Sequence, residues 1–230
     1  MASRPAFFSA DEAPFVRVVP IDFTWHAGMA LSRKQMCIRS LHEAILKIRP
    51  TAQLLEVSSA SESDLGKALS AFNLTFETNS GRLISVECAF QGAKVFEKGG
   101  PYTDLLALSP LDAKRDPRLQ SSGRLTGFQW RGKNWPLEPL TAFYDWIYLN
   151  ALNRRPALAD AIMSYNTFTD IAFNPAKSVN CQAGAVALYV ALRSGGRLEE
   201  ALASPGVFLN MMKSDLHGAV GGDNQQGRLI

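Results

Sequence analysis

The chain has 230 residues, of which 47% are hydrophobic and 20% charged, with a net charge of +3. These values exclude disordered and collagen-like classes, and no apolar run approaches the roughly 18 residues of a membrane-spanning helix. A charge this small does not diagnose nucleic acid on its own. Three scattered cysteines (Cys37, Cys88, Cys181) and three scattered histidines (His26, His42, His217) offer neither a disulfide framework nor metal-ligand spacing. The N-terminus lacks a signal-peptide pattern. A reduced, cytoplasmic protein with no metal and no cofactor is the expectation.

No linker divides the sequence, so one domain is expected over 15–213, flanked by a flexible arm (1–14) and a flexible tail (214–230). Val16 to Trp25 is β-branched and aromatic, and Pro20 confines that strand to an edge. Ser32 and Gln35 match a capping box, and Ile38, Leu41, Ile45 and Ile48 behind them keep helical spacing up to Pro50. His42 on that helix reads as a surface or boundary residue. Leu54 to Ser58 is a short strand. Thr75–Glu77 and Arg82–Ser85 pair as a hairpin through Asn79-Ser80-Gly81.

Ser85 to Gly100 reads as one helix, capped by Ser85 and stopped by Gly99-Gly100. At 100° per residue Val86, Ala89, Phe90, Ala93 and Phe96 share one side, and Glu87, Gln91, Lys94 and Lys98 share the other. Glu87 and Lys94 would then lie two turns apart, about 10 Å along the axis. The plain reading of such a stripe is a solvated surface. The alternative is a carboxylate and an amine facing one small sugar.

The following Gly-Pro-Tyr102-Thr-Asp turn can stop the helix or approach a phosphate with its backbone. From Lys114 to Lys133 six cations face one acid, Asp116, with Phe128, Trp130 and Trp135 interleaved. This suits either a solvated loop anchored by tryptophans or phosphates beside a stacked base. Pro139 at a first helical position opens a helix through Phe143, Trp146 and Leu152, and Pro156 opens another. Phe168 to Phe173 is extended, with Asp170 on it and a turn at Asn174-Pro175. Ser178 or Asn180 caps an apolar helix that ends at Gly195-Gly196, and a further Pro start follows Ser204. The pattern is α+β, predominantly helical with a few short strands.

The stretch V-E-C-A-F-Q-G-A-K-V-F resembles the signature helix of the NADAR (YbiA-like) N-glycosidase superfamily. Ser70-Ala71-Phe72-Asn73 resembles its S-N-F motif, Trp135 and the helix after it are similar to a later block, and Asn180 to its late G-x-N-x-L-G element. R-S-L-H-E-A, G-G-P-Y-T-D-L, P-L-E-P-L-T-A-F-Y-D-W, F-T-D-I-A-F-N-P and N-C-Q-A resemble the subfamily encoded beside DarT-type DNA ADP-ribosyltransferase toxins. Cys88 stands where the superfamily usually has His, and Phe173-Asn174-Pro175 where it has a Trp-Gly pair.

The resemblance implies an antitoxin that removes ADP-ribose from guanine bases in DNA, with ADP-ribosylated DNA as substrate and free ADP-ribose as product. A DarT-type toxin is a further partner, and no membrane is involved. It implies Glu87 and Lys94 as catalytic residues. Ser70, Phe72, Asn73, Gln91, Tyr102, Trp135, Asp170, Asn174 and Asn180 would line the substrate. By physical analogy Arg118, Arg124 and Arg131 would hold phosphates. Two other functions stay open: an N-glycosidase on a small ribosylated metabolite such as a flavin-pathway intermediate, and a non-catalytic antitoxin that binds its toxin.

Overall fold

The computed structural model describes residues 1–78 and 81–218. Ala2–Ser9 (β1) and Val16–Phe23 (β2) pair antiparallel, and Leu31–Ile48 (α1) crosses one face of the sheet they begin. Leu54–Glu56 (β3), Asp64–Ala68 (α2) and the hairpin of Thr75–Glu77 (β4) and Leu83–Ser85 (β5) lead into Val86–Gly92 (α3) and Lys94–Phe96 (β6). A 3₁₀ turn at Thr103–Ala107 precedes Pro110–Arg115 (α4), Arg118–Ser121 (α5), Leu125–Trp130 (β7) and Lys133–Trp135 (β8). Ala142–Asn153 (α6), Pro156–Ala161 (α7), Thr167–Thr169 (β9), Gln182–Ser194 (α8), Leu198–Leu202 (α9) and Pro205–Gly218 (α10) complete an α+β domain.

The main sheet runs β2-β1-β9-β3, with β3 parallel to β9 and the other pairs antiparallel. Side chains on β1 alternate. Ala6 and Phe8 pack with Ile38, Leu41 and Ile45 of α1, while Phe7 joins the larger core under α8. Gly184 of α8 leaves room for the Phe7 ring, because a Cβ there would lie 3.2 Å from it. The result is three layers: α1, the sheet, and the α6–α8 pair. A second sheet, β6-β7-β8, meets α6 through aromatic contacts: Phe128 stacks on Phe143 at 4.5 Å, and Trp135 lies 5.4 Å from Phe143.

Several expectations need correction. The supposed arm at 1–14 contains β1, which sits inside the sheet because β9, more than 150 residues away, pairs with it from Ala6 to Phe8. The run Pro5-Ala6-Phe7-Phe8 is buried throughout. The capping box does not form: Ala30 is the N-cap of α1 and no side chain caps it. Pro139 is not a first helical position, since α6 begins at Ala142 after Thr141 at φ +70°. Cys181 is the N-cap of α8, and Ser178 Oγ instead donates to the Asn180 carbonyl at 3.2 Å. Helix α10 continues to Gly218, past the expected tail boundary at 214. The hairpin turn at Asn79-Ser80 and residues 219–230 lie outside the described residues. Among the described residues no helix is long and apolar enough to cross a membrane.

Asp145 is buried in α6, where Thr141 Oγ1 donates to it at 2.6 Å. Burial pushes its carboxyl up to about 7, against the pull of that hydrogen bond. The folded chain therefore keeps a proton that the unfolded chain loses near pH 4. The stability this provides is full below that pH and is lost as pH rises to 7. Asp145→Asn should raise Tm at pH 8 by about 5 °C, with the gain shrinking towards pH 4, as differential scanning fluorimetry would show.

Candidate active site

Helix α3 is short and buried on every side. Ser85 caps it, accepting from Cys88 N at 3.1 Å, and its first two amides donate backwards: Val86 N to Leu74 O and Glu87 N to Ala71 O, both at 2.9 Å. The Ser70–Asn73 loop is thereby fastened to the start of the helix. Gln182 fixes the same loop from α8. Its Oε1 accepts from Ala71 N and its Nε2 donates to Val57 O, both at 2.7 Å.

The expected helix from Ser85 to Gly100 ends at Gly92, and Lys94 and Val95 belong to strand β6. Pairing with β7 overrides helical periodicity here, because Val95 and Phe96 suit a strand and Gln129 N takes the Ala93 carbonyl at 2.7 Å. Gly100, at φ +84°, crosses over this strand so closely that a Cβ would lie 2.2 Å from the Lys94 carbonyl oxygen. Only glycine meets both demands.

Glu87 is buried, and its Oε1 accepts from Gln91 Nε2 at 2.9 Å. Lys114 Nζ, from α4, approaches the same oxygen at 3.7 Å and lies 5.3 Å from the Phe72 ring centroid. Lys94 is half-buried, with its Nζ 4.8 Å from the centroid of Phe90. Burial lowers its pKa to about 8, Glu87 opposes the shift, and Lys114 adds to it. The cationic neighbour is thus Lys114, across the fold, and not Lys98. Ser70 Oγ and Gln91 Oε1 are buried without hydrogen-bond partners, two polar atoms that a polar ligand can satisfy.

Tyr144, absent from the sequence-based candidates, packs its ring edge-on against Phe90 at 5.2 Å. Burial raises its hydroxyl pKa well above the usual value, and the nearby acids Glu87 and Asp170 and the Cys181 thiol add to the effect. Asp170 is buried too, with Oδ1 accepting from Ala172 N at 3.0 Å and Phe173 N at 3.2 Å. Desolvation first, and then Glu56, push it up to about 7. Glu56 in turn accepts from Ser58 Oγ, Thr169 Oγ1 and Ile171 N at 2.6–2.8 Å. His42 is half-buried, a boundary residue as expected; it contacts the Thr169 hydroxyl at 2.9 Å, and burial lowers its pKa to about 4, so it is neutral. A helical apolar pattern gave no sign of this network, because its members come from four separate elements.

The remaining expected residues are placed as follows. Asn73 is exposed and donates to Lys67 O at 2.8 Å. Arg118 is held by Asp104 and Asp116 and lies over the Tyr102 ring at 4.5 Å, while the Tyr102 hydroxyl meets Ser122 Oγ. Arg124 pairs with Glu97 at 3.2 Å. Both guanidinia are thus paired with carboxylates. Trp135 is buried against Phe143 and Trp146. Asn174 closes its own turn, accepting from Ala176 N at 3.0 Å, and Asn180 is half-buried beside Ser178. Among the described residues no cluster could hold a metal ion.

The chain folds as a single α+β domain with the capped helix of Glu87 in its interior. A model of the DarT1-associated NADAR antitoxins matches residues 2–219, and the chain belongs to that family. The comparison with curated proteins gave no match.

If Lys114 helps to hold the Lys94 proton affinity down, Lys114→Ala should move it up. The pH dependence of amine acylation at Lys94, followed by peptide mass spectrometry, should have its midpoint near 8 in the wild type. In the variant that midpoint should lie about half a unit or more higher.

Proposed function

We propose that this antitoxin is an N-glycosidase that removes ADP-ribose from guanine in DNA, with Lys94 as nucleophile and Glu87 as the group that moves protons. The observation that carries this reading is the lysine of lowered pKa enclosed beside a buried, glutamine-held carboxylate. The family's description as an antitoxin beside DarT1 supports the substrate, since such a toxin's product is an N-linked ribosyl group.

An N-ribosylated base can open its sugar ring, so that C1 becomes an imine carbon shared with the base nitrogen. The neutral Lys94 amine adds to C1. Two protons pass in turn from the lysine nitrogen to the base nitrogen through Glu87, the first as the amine adds and the second as the C1–base bond breaks, so the base leaves as a neutral amine and C1 is left as a lysine imine. Water then adds to the lysine imine, Glu87 relays both of its protons to the lysine nitrogen, and ADP-ribose departs as its aldehyde form with the C–N bond to lysine broken and the amine restored. The sum is one water consumed and one N-glycosidic bond cleaved. About one lysine in ten is neutral at pH 7 when the pKa is about 8, enough to sustain attack while leaving most of the site protonated at rest. Gln91 keeps the Glu87 carboxylate in one orientation, and Phe72 confines Lys114 at its edge. A bulky adduct must be unstacked to reach the buried Glu87 and the half-buried Lys94, so a single-stranded segment is the working substrate.

The test is turnover of a guanine-ADP-ribosylated oligonucleotide. The wild type should release ADP-ribose, with kcat/KM rising through pH 8 to a plateau as Lys94 loses its proton. Lys94→Ala should lose at least about a hundredfold and Glu87→Gln a comparable factor. Wild-type rates in Lys94→Ala would remove the lysine from the mechanism. Toxin neutralisation in cells by an enzyme with no hydrolytic activity would instead indicate a binding antitoxin.

A further inference from the structure

The sheet that carries Lys94 also builds a second recess. Strand β7 pairs with β6 at Lys94↔Phe128, and Trp130 lies two residues further along β7, about 7 Å away on the same face. Phe76 on β4 meets Trp130 edge-on at 5.6 Å. Its hairpin partner β5 leads directly into the helix of Glu87. Trp130 and Phe76, with Trp135 and Trp146 of α6, wall a cleft of about 180 Å³. An apolar cavity of about 150 Å³ is enough to take up a benzene ring. A groove bounded by Gly92 at the end of α3 adjoins the same Phe76 and Trp130.

The cations of this cleft differ from those elsewhere in the basic segment. Arg131, Lys133 and Arg154 line it, no acidic residue does, and none of the three has an ion-pair partner among the described residues. Arg118 and Arg124, by contrast, are held by carboxylates. Arg131 adopts φ +50°, a strained backbone for a side chain other than glycine, and its guanidinium lies 6.0 Å from the Phe76 centroid and 5.9 Å from that of Trp130. An unpaired guanidinium beside aromatic rings, with cations at the rim, is the chemistry that holds an unstacked base and its flanking phosphates.

We infer that the Trp130–Arg131 cleft is a separate binding site for single-stranded DNA, holding an unmodified nucleotide next to the one whose guanine enters at Glu87 and Lys94. The inference rests on the proposed DNA substrate. It assigns Arg131 to the phosphates of the strand, and adds Lys133 and Arg154 to that role.

The test needs no ADP-ribose. A short unmodified oligothymidylate is titrated into the full chain, read by anisotropy and by quenching of tryptophan emission. Wild-type protein should bind it in preference to duplex and show quenching. Arg131→Gly, which suits the left-handed backbone and so keeps the fold, and Trp130→Leu should each weaken binding about tenfold. Lys133→Ala should reduce the slope of log affinity against log salt by about 0.7. Lys47→Ala, an equal loss of charge on α1, should bind as the wild type. Wild-type affinity in both Arg131→Gly and Trp130→Leu, or an equal loss in Lys47→Ala, would overturn the cleft. Release of ADP-ribose from modified DNA is measured separately. Its absence, with the Arg131→Gly loss intact, would sink the glycohydrolase and leave the cleft standing, while its presence with no such loss would do the reverse.

Discussion

A lysine ammonium enclosed against a phenylalanine ring must either keep a carboxylate beside it or give up its proton, and Lys94 is held between those outcomes. Burial pushes the proton off, Glu87 holds it on, and Lys114 tips the balance back towards release. Much of the surrounding structure serves that balance. The Ser85 cap and the Ala71 and Leu74 carbonyls fix the start of α3, Gln91 fixes the carboxylate, and Gly100 admits a chain crossing directly over the Lys94 backbone. Because burial and the charges of Glu87 and Lys114 act on Lys94 in opposite directions, small displacements would change its protonation state.

The second buried region, Glu56 with Asp170, sits on the sheet behind Tyr144 and has a different logic. Glu56 receives three hydrogen bonds and Asp170 two from backbone amides, yet both carboxyls are pushed up, because desolvation outweighs what those donors give back. Glu56 adds to the burial that pushes Asp170 up to about 7. His42, behind Thr169, is likewise held neutral by burial. That leaves Glu87 as the acid answering to the lysines.

How much of this was legible in the sequence depended on distance along the chain. Glu87 and Gln91, four residues apart, touch as helical spacing requires, and the Ser85 cap forms. Lys94 reached the right neighbourhood for a different reason, since the chain leaves the helix and strand β6 delivers it. The edge strand at Val16–Phe23, the β4–β5 hairpin and the helix after Trp135 all followed from local pattern. Long-range partners did not. Asp104 and Glu97, which take up Arg118 and Arg124, stand 14 and 27 residues from them, so a basic stretch read from composition overstated the free charge. Strand β1 looked unpatterned because its partner β9 comes from the other end of the chain. Tyr144 and Lys114 reach the site through packing that no local period encodes.

The most direct measurement is borohydride trapping. The protein is mixed with a guanine-ADP-ribosylated oligonucleotide in the presence of the reductant and then examined by intact and peptide mass spectrometry. A reduced ADP-ribosyl adduct is expected on Lys94, forming faster as pH rises towards 8 and absent in Lys94→Ala. Turnover by the wild type with no adduct at Lys94 under reducing conditions would contradict it and assign the bond cleavage to direct attack by water.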